Sequence, residues 1–177
     1  MKRKGFAVEF KGRRGAVMTI EDRIAAMGLY LPEAARVLAH VAIDFAWARL
    51  HGNRIHDSGH GPQGPDGTVI GPFGRVGAEV SPEQAAEAAR LATLAVIASV
   101  KRAVGSLDRI AAWLRVDGFV LVAPGFDRTT NVINGSSRLI AELFGDTVGR
   151  HARIAMGVAA TPLSCPVVIA AELAIRV

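Results

Sequence analysis

The segment from Ser81 to Gly105 constrains the fold more than any other part of the chain. Ser81 and Gln84 form a capping box around Pro82, which suits the first turn of a helix. Gly105 follows Val104 as a stop signal, so the pattern predicts a helix of about 23 residues. Half of the 177 residues are hydrophobic, but only 6% are aromatic. We therefore expect this alanine-rich helix to pack closely on a sheet through small side chains.

Two further helices and several strands are expected around it. Thr19 and Asp22 mark the start of a short helix over residues 20–27, and Gly145 closes a longer helix over residues 129–144. These patterns predict an α+β domain with a mixed sheet and two helices on one face. The predicted strands cover residues 43–50 and 54–58 as a hairpin, 75–80, 110–122 with an irregularity at Asp117 and Gly118, 152–160 and 167–177.

The net charge of +5 belongs to a basic N-terminal arm, residues 1–18. Six basic residues and one acidic residue within the first 14 positions carry it, so the remaining residues sum to zero. A folded surface that binds nucleic acid would spread basic residues over the domain, so nucleic acid is not an expected partner. The arm, with a candidate strand over residues 6–10, is interpreted as a solvated tail, although contact with phosphate stays open. The domain is expected over residues 19–177.

Several classes of protein are not expected. Cys165 is the only cysteine, so neither an internal disulfide nor a CxxC metal motif can form. No apolar run reaches the roughly 18 residues that span a bilayer, and the basic arm is not followed by the apolar stretch of a secretory signal. We therefore expect a soluble cytoplasmic protein without a membrane partner. Cys165 lies in a proline-bounded turn without a visible base, which favours a packing role over a nucleophile.

A long glycine- and proline-rich loop is predicted over residues 59–77. Its first six residues match GxGxxG, the dinucleotide-binding pattern. That pattern binds pyrophosphate only where it opens a helix with free N–H groups. No helix is predicted here, and Pro62 and Pro65 each remove a donor. We therefore expect no nucleotide cofactor at this loop.

The four residues His51, His56, Asp57 and His60 lie close together in the sequence and offer metal-ligand chemistry. In a strand, however, His56 and Asp57 point to opposite faces, and no further cysteine or histidine cluster completes a tetrahedral site. Surface or hydrogen-bonded histidines are the preferred interpretation. We predict no metal.

Arg153 is the strongest candidate for a binding residue. In the predicted strand it shares a face with Ala155 and Gly157, whereas Ile154 and Met156 occupy the other face. A guanidinium among such small side chains leaves room for a ligand, and its planar fork suits a carboxylate. The alternative is an arginine paired with a carboxylate elsewhere in the fold, and the strand pattern alone does not separate the two.

The chain resembles the YjgF/RidA family, also called the endoribonuclease L-PSP family, and in particular its longer branch with an N-terminal helix. This resemblance implies a chorismate-mutase-like fold and a homotrimer with ligand clefts between subunits. It also implies hydrolysis of reactive enamines and imines to 2-oxo acids and ammonia without a cofactor. The segments that carry the resemblance are residues 19–23, 57–62, 87–91, 118–120, 132–135, 143–145 and 151–163.

The resemblance also assigns residues to the cleft. Arg153 matches the arginine that binds the substrate carboxylate, and Asn134 matches a cleft asparagine. Ala155 stands where deaminating members have a cysteine, and the backbone carbonyl near it would hold a water. Ser58 with Gly59 matches the Ser-Gly pair that lines the cleft, and Phe45 occupies the position of a tyrosine.

One departure from the family pattern affects catalysis. Val168 stands where many members have the glutamate that places the attacking water, and a second glutamate is also missing. Glu172 lies on the same strand face but roughly 13 Å further along, which is too far to substitute. The chain thus retains the carboxylate-binding half of the site and lacks the water-activating half.

Three functions compete on this basis. The first is an enamine/imine deaminase. The second is a non-catalytic or differently acting binder of small carboxylates in the same clefts. Endoribonuclease activity is not expected, because the body carries no net charge and offers no acid–base set of His, Lys and Glu.

Overall fold

The computed structural model describes residues 18–39 and 41–176, and it has an α+β fold. The candidate strand over residues 6–10 lies outside these residues. Both predicted capping boxes are present: Thr19 and Asp22 exchange hydrogen bonds, as do Ser81 and Gln84. The elements are the helices α1 (Ile20–Ala26), α2 (Pro82–Val104) and α3 (Thr129–Gly149), and the strands β1 (Ala48–His51), β2 (Arg54–His60), β3 (Ile110–Leu121), β4 (Ala152–Val158) and β5 (Val167–Ile175).

The five strands form one mixed sheet in the order β1-β2-β5-β3-β4. Only β3 and β4 run parallel; the other neighbours are antiparallel. Helices α2 and α3 lie side by side on one face, with α2 over β2 and β5 and α3 over β3 and β4. The side chains of β5 therefore alternate between the helix-covered face and the opposite face of the sheet. Ile169 and Leu173 are buried under the helices, whereas Val168 and Glu172 are half-buried on the opposite, open face.

Glycines allow α3 to approach its neighbours closely. A Cβ on Gly135 would lie 2.0 Å from the Ala86 carbonyl oxygen of α2, and a Cβ on Gly118 would lie 2.7 Å from Ile133 of α3. Gly118 was expected to mark a strand irregularity, and that expectation is wrong: β3 departs from regular pairing nearer its start, between residues 110 and 115. The absence of a side chain at Gly118 instead makes room for the helix.

Three parts of the fold differ from the sequence-based expectation by more than two residues. The first hairpin strand begins at Ala48 rather than at residue 43, and residues 75–80 form only isolated bridges at Val76. Helix α3 continues to Gly149 past a break at Gly145, which has φ +72°. In each case neighbouring segments decide the ends, because edge pairing and the last helical turn depend on tertiary contacts.

We expect Gly135→Ala to destabilise the protein. A glycine-to-alanine change inside a helix ordinarily stabilises by about 0.5–1 kcal/mol. Here the new Cβ meets a backbone oxygen that no rotamer change can relieve, so we expect a loss of roughly 1–3 kcal/mol in the free energy of unfolding. Chemical denaturation would measure it, with the exposed Asn131→Ala in the same helix as the control. A stabilised Gly135→Ala variant would contradict the close helix contact.

Candidate functional site

Arg153 lies on the helix-covered face of β4. It pairs with Val116 of β3, and its side chain reaches α3, where Nη1 donates hydrogen bonds to Asn134 Oδ1 and Ser137 Oγ, both at 3.0 Å. Asn134 and Ser137 are three residues apart and therefore project from the same side of α3. Two of the residues that the resemblance assigned to the cleft, Arg153 and Asn134, are thus in contact.

The partners of Arg153 are neutral. Within residues 18–39 and 41–176, no carboxylate lies within 4.0 Å of the guanidinium. The strand pattern left open that Arg153 pairs with an internal carboxylate. No such pair is found among these residues. Burial lowers the pKa of Arg153 from its ordinary value, but an arginine with so high a pKa stays protonated near neutrality. Among the described residues, this half-buried positive charge therefore has uncharged hydrogen-bond acceptors as its partners.

The backbone carbonyl of Ala155 is already engaged. Thr129, at the start of α3, donates its hydroxyl hydrogen to this oxygen at 3.0 Å. A carbonyl oxygen accepts two hydrogen bonds, so one position remains for the water that the sequence analysis assigned to it. Thr129 was not predicted as part of the site.

A second set of predicted site residues lies around the end of β2. The Ser58 hydroxyl donates to the Ala46 carbonyl at 2.8 Å, and Phe45 packs edge-on against Trp47 at 4.9 Å while 52% exposed. Gly59 lies against β5: a Cβ there would stand 2.8 Å from Val168 Cγ1.

One chain does not unite the two sets. Strand β2, with Ser58, and strand β4, with Arg153, are separated by β5 and β3. Three strand spacings of about 4.8 Å place them roughly 14 Å apart across the sheet. In addition, Arg153 faces the helices, whereas Val168 belongs to the open face. Phe45, Ser58 and Gly59 therefore do not reach Arg153 within a single chain.

Sequence reasoning missed two polar residues next to Arg153. Ser137 contacts the guanidinium directly, and its Oγ is also 3.0 Å from His151 Nε2. The available signals were spacings: Ser137 comes one helical turn after Asn134, and His151 precedes Arg153 by two residues in an extended segment. Neither spacing is specific without knowledge of how α3 lies over β4.

The histidine-rich segment of β1 and β2 is divided by the sheet. His51 and His56 are exposed, whereas Asp57 and His60 are buried. The distance between Asp57 Oδ1 and His60 Nδ1 is 3.1 Å. His60 Nδ1 is also 2.7 Å from the Ser58 carbonyl. Burial raises the pKa of Asp57 to about 6. In the part of the chain that the structure describes, no three His, Cys, Asp or Glu side chains are arranged to hold a metal ion.

Cys165 and the cavities lie outside this site. Cys165 is buried, and burial raises the pKa of its thiol to about 11, which agrees with packing rather than nucleophilic chemistry. A cavity of about 370 Å³ adjoins α1 and one of about 420 Å³ adjoins residues 159–161; Arg153 lines neither of these two. Among the described helices, none combines the length and apolarity needed to cross a bilayer.

Comparison with known proteins identifies the class of protein. Residues 21–173 match the family described as "YjgF/chorismate mutase-like, putative endoribonuclease". The match covers most of the chain, so the chain belongs to this family. The mixed five-strand sheet with its helices agrees with that fold, as the resemblance implied.

Individual relatives match 80–90% of the chain. Protein TCP17 of Trypanosoma cruzi is 35% identical over 141 residues, which are 80% of this chain and 84% of TCP17. The solved structure of Atu1372 from Agrobacterium tumefaciens, a protein of unknown function, is 36% identical with a TM-score of 0.79, covering 90% of this chain and 94% of that one. A "putative endoribonuclease" from Shewanella oneidensis is 30% identical with a TM-score of 0.81, covering 89% and 100%.

We expect Asp57→Asn to change how stability depends on pH. The pKa of Asp57 is about 6 in the folded protein against an ordinary value of 3.8, so the folded state binds more protons between these pH values. The free energy of unfolding contributed by Asp57 therefore falls as pH rises from about 4 to about 6, by roughly 3 kcal/mol at most. Chemical denaturation at a series of pH values should show this fall in wild type and a flatter dependence in Asp57→Asn.

Asp66→Asn is the matched control for that experiment. Asp66 is exposed, and its pKa is lowered by the hydroxyl of Thr68. Its replacement should leave the decline between pH 4 and pH 6 in place. An equal decline in wild type and Asp57→Asn would show that the buried carboxyl is not its source.

Proposed function

We propose that this protein binds small carboxylates through Arg153, in clefts between the subunits of a homotrimer. The observation that carries the proposal is the half-buried guanidinium with only neutral partners among the described residues. Both hydrogen bonds from Arg153 to described residues use Nη1, so Nε and Nη2 keep N–H donors for a ligand. A carboxylate accepts two parallel bonds from such a fork.

The separation of the site residues supports the trimer. The Arg153 set and the Ser58 set are on different strands about 14 Å apart, so a cleft containing both needs a second copy of the chain. The open sheet face offers apolar surface for that contact: Met156 is 55% exposed, and Ile154, Phe119 and Val168 are half-buried beside it. A contact that includes this surface would bury these side chains and bring a second chain to β4, the edge strand that also carries Arg153.

Hydrolysis of small enamines or imines to 2-oxo acids and ammonia is the reaction we propose for this site. Membership of the family and the carboxylate of such substrates both favour it. Val168 is the observation against it, because this position lacks the glutamate of many members. The second candidate function is therefore a binder of the same carboxylates that performs no hydrolysis. We do not propose ribonuclease activity, because the body of the chain has no net positive charge.

We expect Arg153→Ala to abolish most carboxylate binding. Pyruvate, the 2-oxo acid formed from 2-aminoacrylate, is a suitable probe for titration calorimetry. Loss of charge-assisted hydrogen bonds should weaken its binding by about 10- to 100-fold. Arg138→Ala removes an exposed arginine of α3, the helix that carries Asn134 and Ser137, and is the matched control, with wild-type affinity expected. Equal affinities of wild type and Arg153→Ala would remove Arg153 from the binding site.

The proposed trimer can be tested separately through the mass of the protein in solution. Light scattering of wild type should give three times the chain mass of 18.6 kDa. Met156→Asp places a charge on the exposed apolar surface and should shift the mass towards that of a single chain. Leu38→Asp changes another exposed apolar residue away from the sheet and serves as control. A wild-type mass of one chain would refute the intersubunit cleft.

A further inference from the structure

A hydroxyl–imidazole pair lies directly beside the Arg153 guanidinium. Ser137 Oγ is 3.0 Å from His151 Nε2 and 3.0 Å from Arg153 Nη1, so one hydroxyl bridges the two side chains. All three residues are half-buried and remain accessible from solvent. A hydroxyl in contact with an imidazole, which is itself oriented by a third group, is an arrangement that transfers protons.

The contacts of His151 define its protonation state. Its Nδ1 is 2.7 Å from the Gly149 carbonyl, which can only accept, so Nδ1 carries the hydrogen. Burial lowers the pKa of His151, and the charge of Arg153 lowers it further. The hydrogen bond to the Gly149 carbonyl acts in the opposite direction but does not offset them. The imidazole is therefore neutral near pH 7, with a free electron pair on Nε2. Ser137 donates its hydrogen to that pair while it accepts a hydrogen bond from Arg153.

The fold places this pair at one position of the sheet. His151 and Arg153 are two residues apart in an extended segment and share a face. Ser137 and Asn134 are one turn apart on α3 and face the same guanidinium. Among the described residues, Arg153 is the charged group in this cluster, and α3 contributes the neutral Asn134 and Ser137.

We propose that Ser137 and His151 are the proton-transfer pair of the Arg153 site and supply the base that Val168 does not. This inference rests on the proposed hydrolysis of carboxylate-bearing imines at the same guanidinium. Ser137 would be the catalytic residue that contacts the attacking water, and His151 would act through Ser137.

The reaction balances with these groups and water alone. Water forms a C–O bond to the carbon of the protonated imine, and the electron pair of the C=N bond moves to nitrogen. The proton lost by water passes to Ser137 as the Ser137 proton passes to His151 Nε2. The imidazolium then returns its proton through Ser137 to the amine nitrogen. The C–N bond breaks with its pair on the departing ammonia, the hydroxyl proton leaves to solvent, and the 2-oxo acid forms.

A pH profile separates this role from mere support of Arg153. We expect His151→Gln and Ser137→Ala to lower kcat for ammonia release from enzymatically generated 2-aminoacrylate by about 10²- to 10⁴-fold, with KM changed less than about threefold. Wild-type kcat should fall as pH drops through the lowered pKa of His151, because the base must be neutral, and His151→Gln should lose this acid limb. Asn134→Ala, which removes the other contact of the same Nη1, should raise KM and keep the acid limb.

The outcomes distinguish this pair from the proposed function. Pyruvate binding by wild type and by His151→Gln, without ammonia release by either, would overturn the proton-transfer pair and leave carboxylate binding intact. Ammonia release by His151→Gln at the wild-type kcat and pH profile would also overturn the pair while the hydrolysis stands. Wild type that fails to bind pyruvate would overturn both.

Discussion

The half-buried charge of Arg153 is the constraint on which the site depends. Removing a guanidinium from water is unfavourable unless hydrogen bonds or an opposite charge replace its solvation. Asn134 and Ser137 replace part of that solvation without neutralising the charge. The remaining donors, on Nε and Nη2, are those that the proposed ligand would engage. A carboxylate ligand would therefore relieve a cost that the fold itself retains.

Close packing of small residues makes this arrangement possible. Helix α3 can contact Arg153 because Gly135 lets it approach α2 and Gly118 lets Ile133 approach β3. Alanines along α2 have the same effect, with Ala89 and Ala92 completely buried. A larger residue at Gly118 would push α3 away from the sheet, and one at Gly135 would push α3 away from α2; either shift would disturb the two hydrogen bonds of Arg153. Packing and the binding chemistry are thus linked through the position of one helix.

The predicted cleft residues lie on two different sides of the sheet. Val168 lies against Gly59 near the end of β2, on the open side of the sheet, where the close contact leaves limited space for a longer side chain. The imidazole of His151 lies instead on the Arg153 side. In the proposed reaction, proton transfer takes place beside the guanidinium rather than at the position of Val168.

The sequence by itself determined where the two capped helices begin and on which face of its strand Arg153 lies. Capping signals at Thr19 and Ser81 act within one turn, so they identify the helix starts without tertiary information. Likewise, alternation along a strand places Arg153 on the face of Ala155, because the period of two is a property of the backbone.

Only the tertiary structure decided which side chains surround Arg153. Ser137 and His151 come together because α3 crosses β4 at one height and angle, which depends on contacts far apart in the sequence. The start of β1 at Ala48 and the loss of the strand over residues 75–80 have the same origin, since strand pairing requires a partner that local sequence does not specify. Local patterns record what the backbone prefers, whereas the neutral surroundings of the guanidinium result from packing.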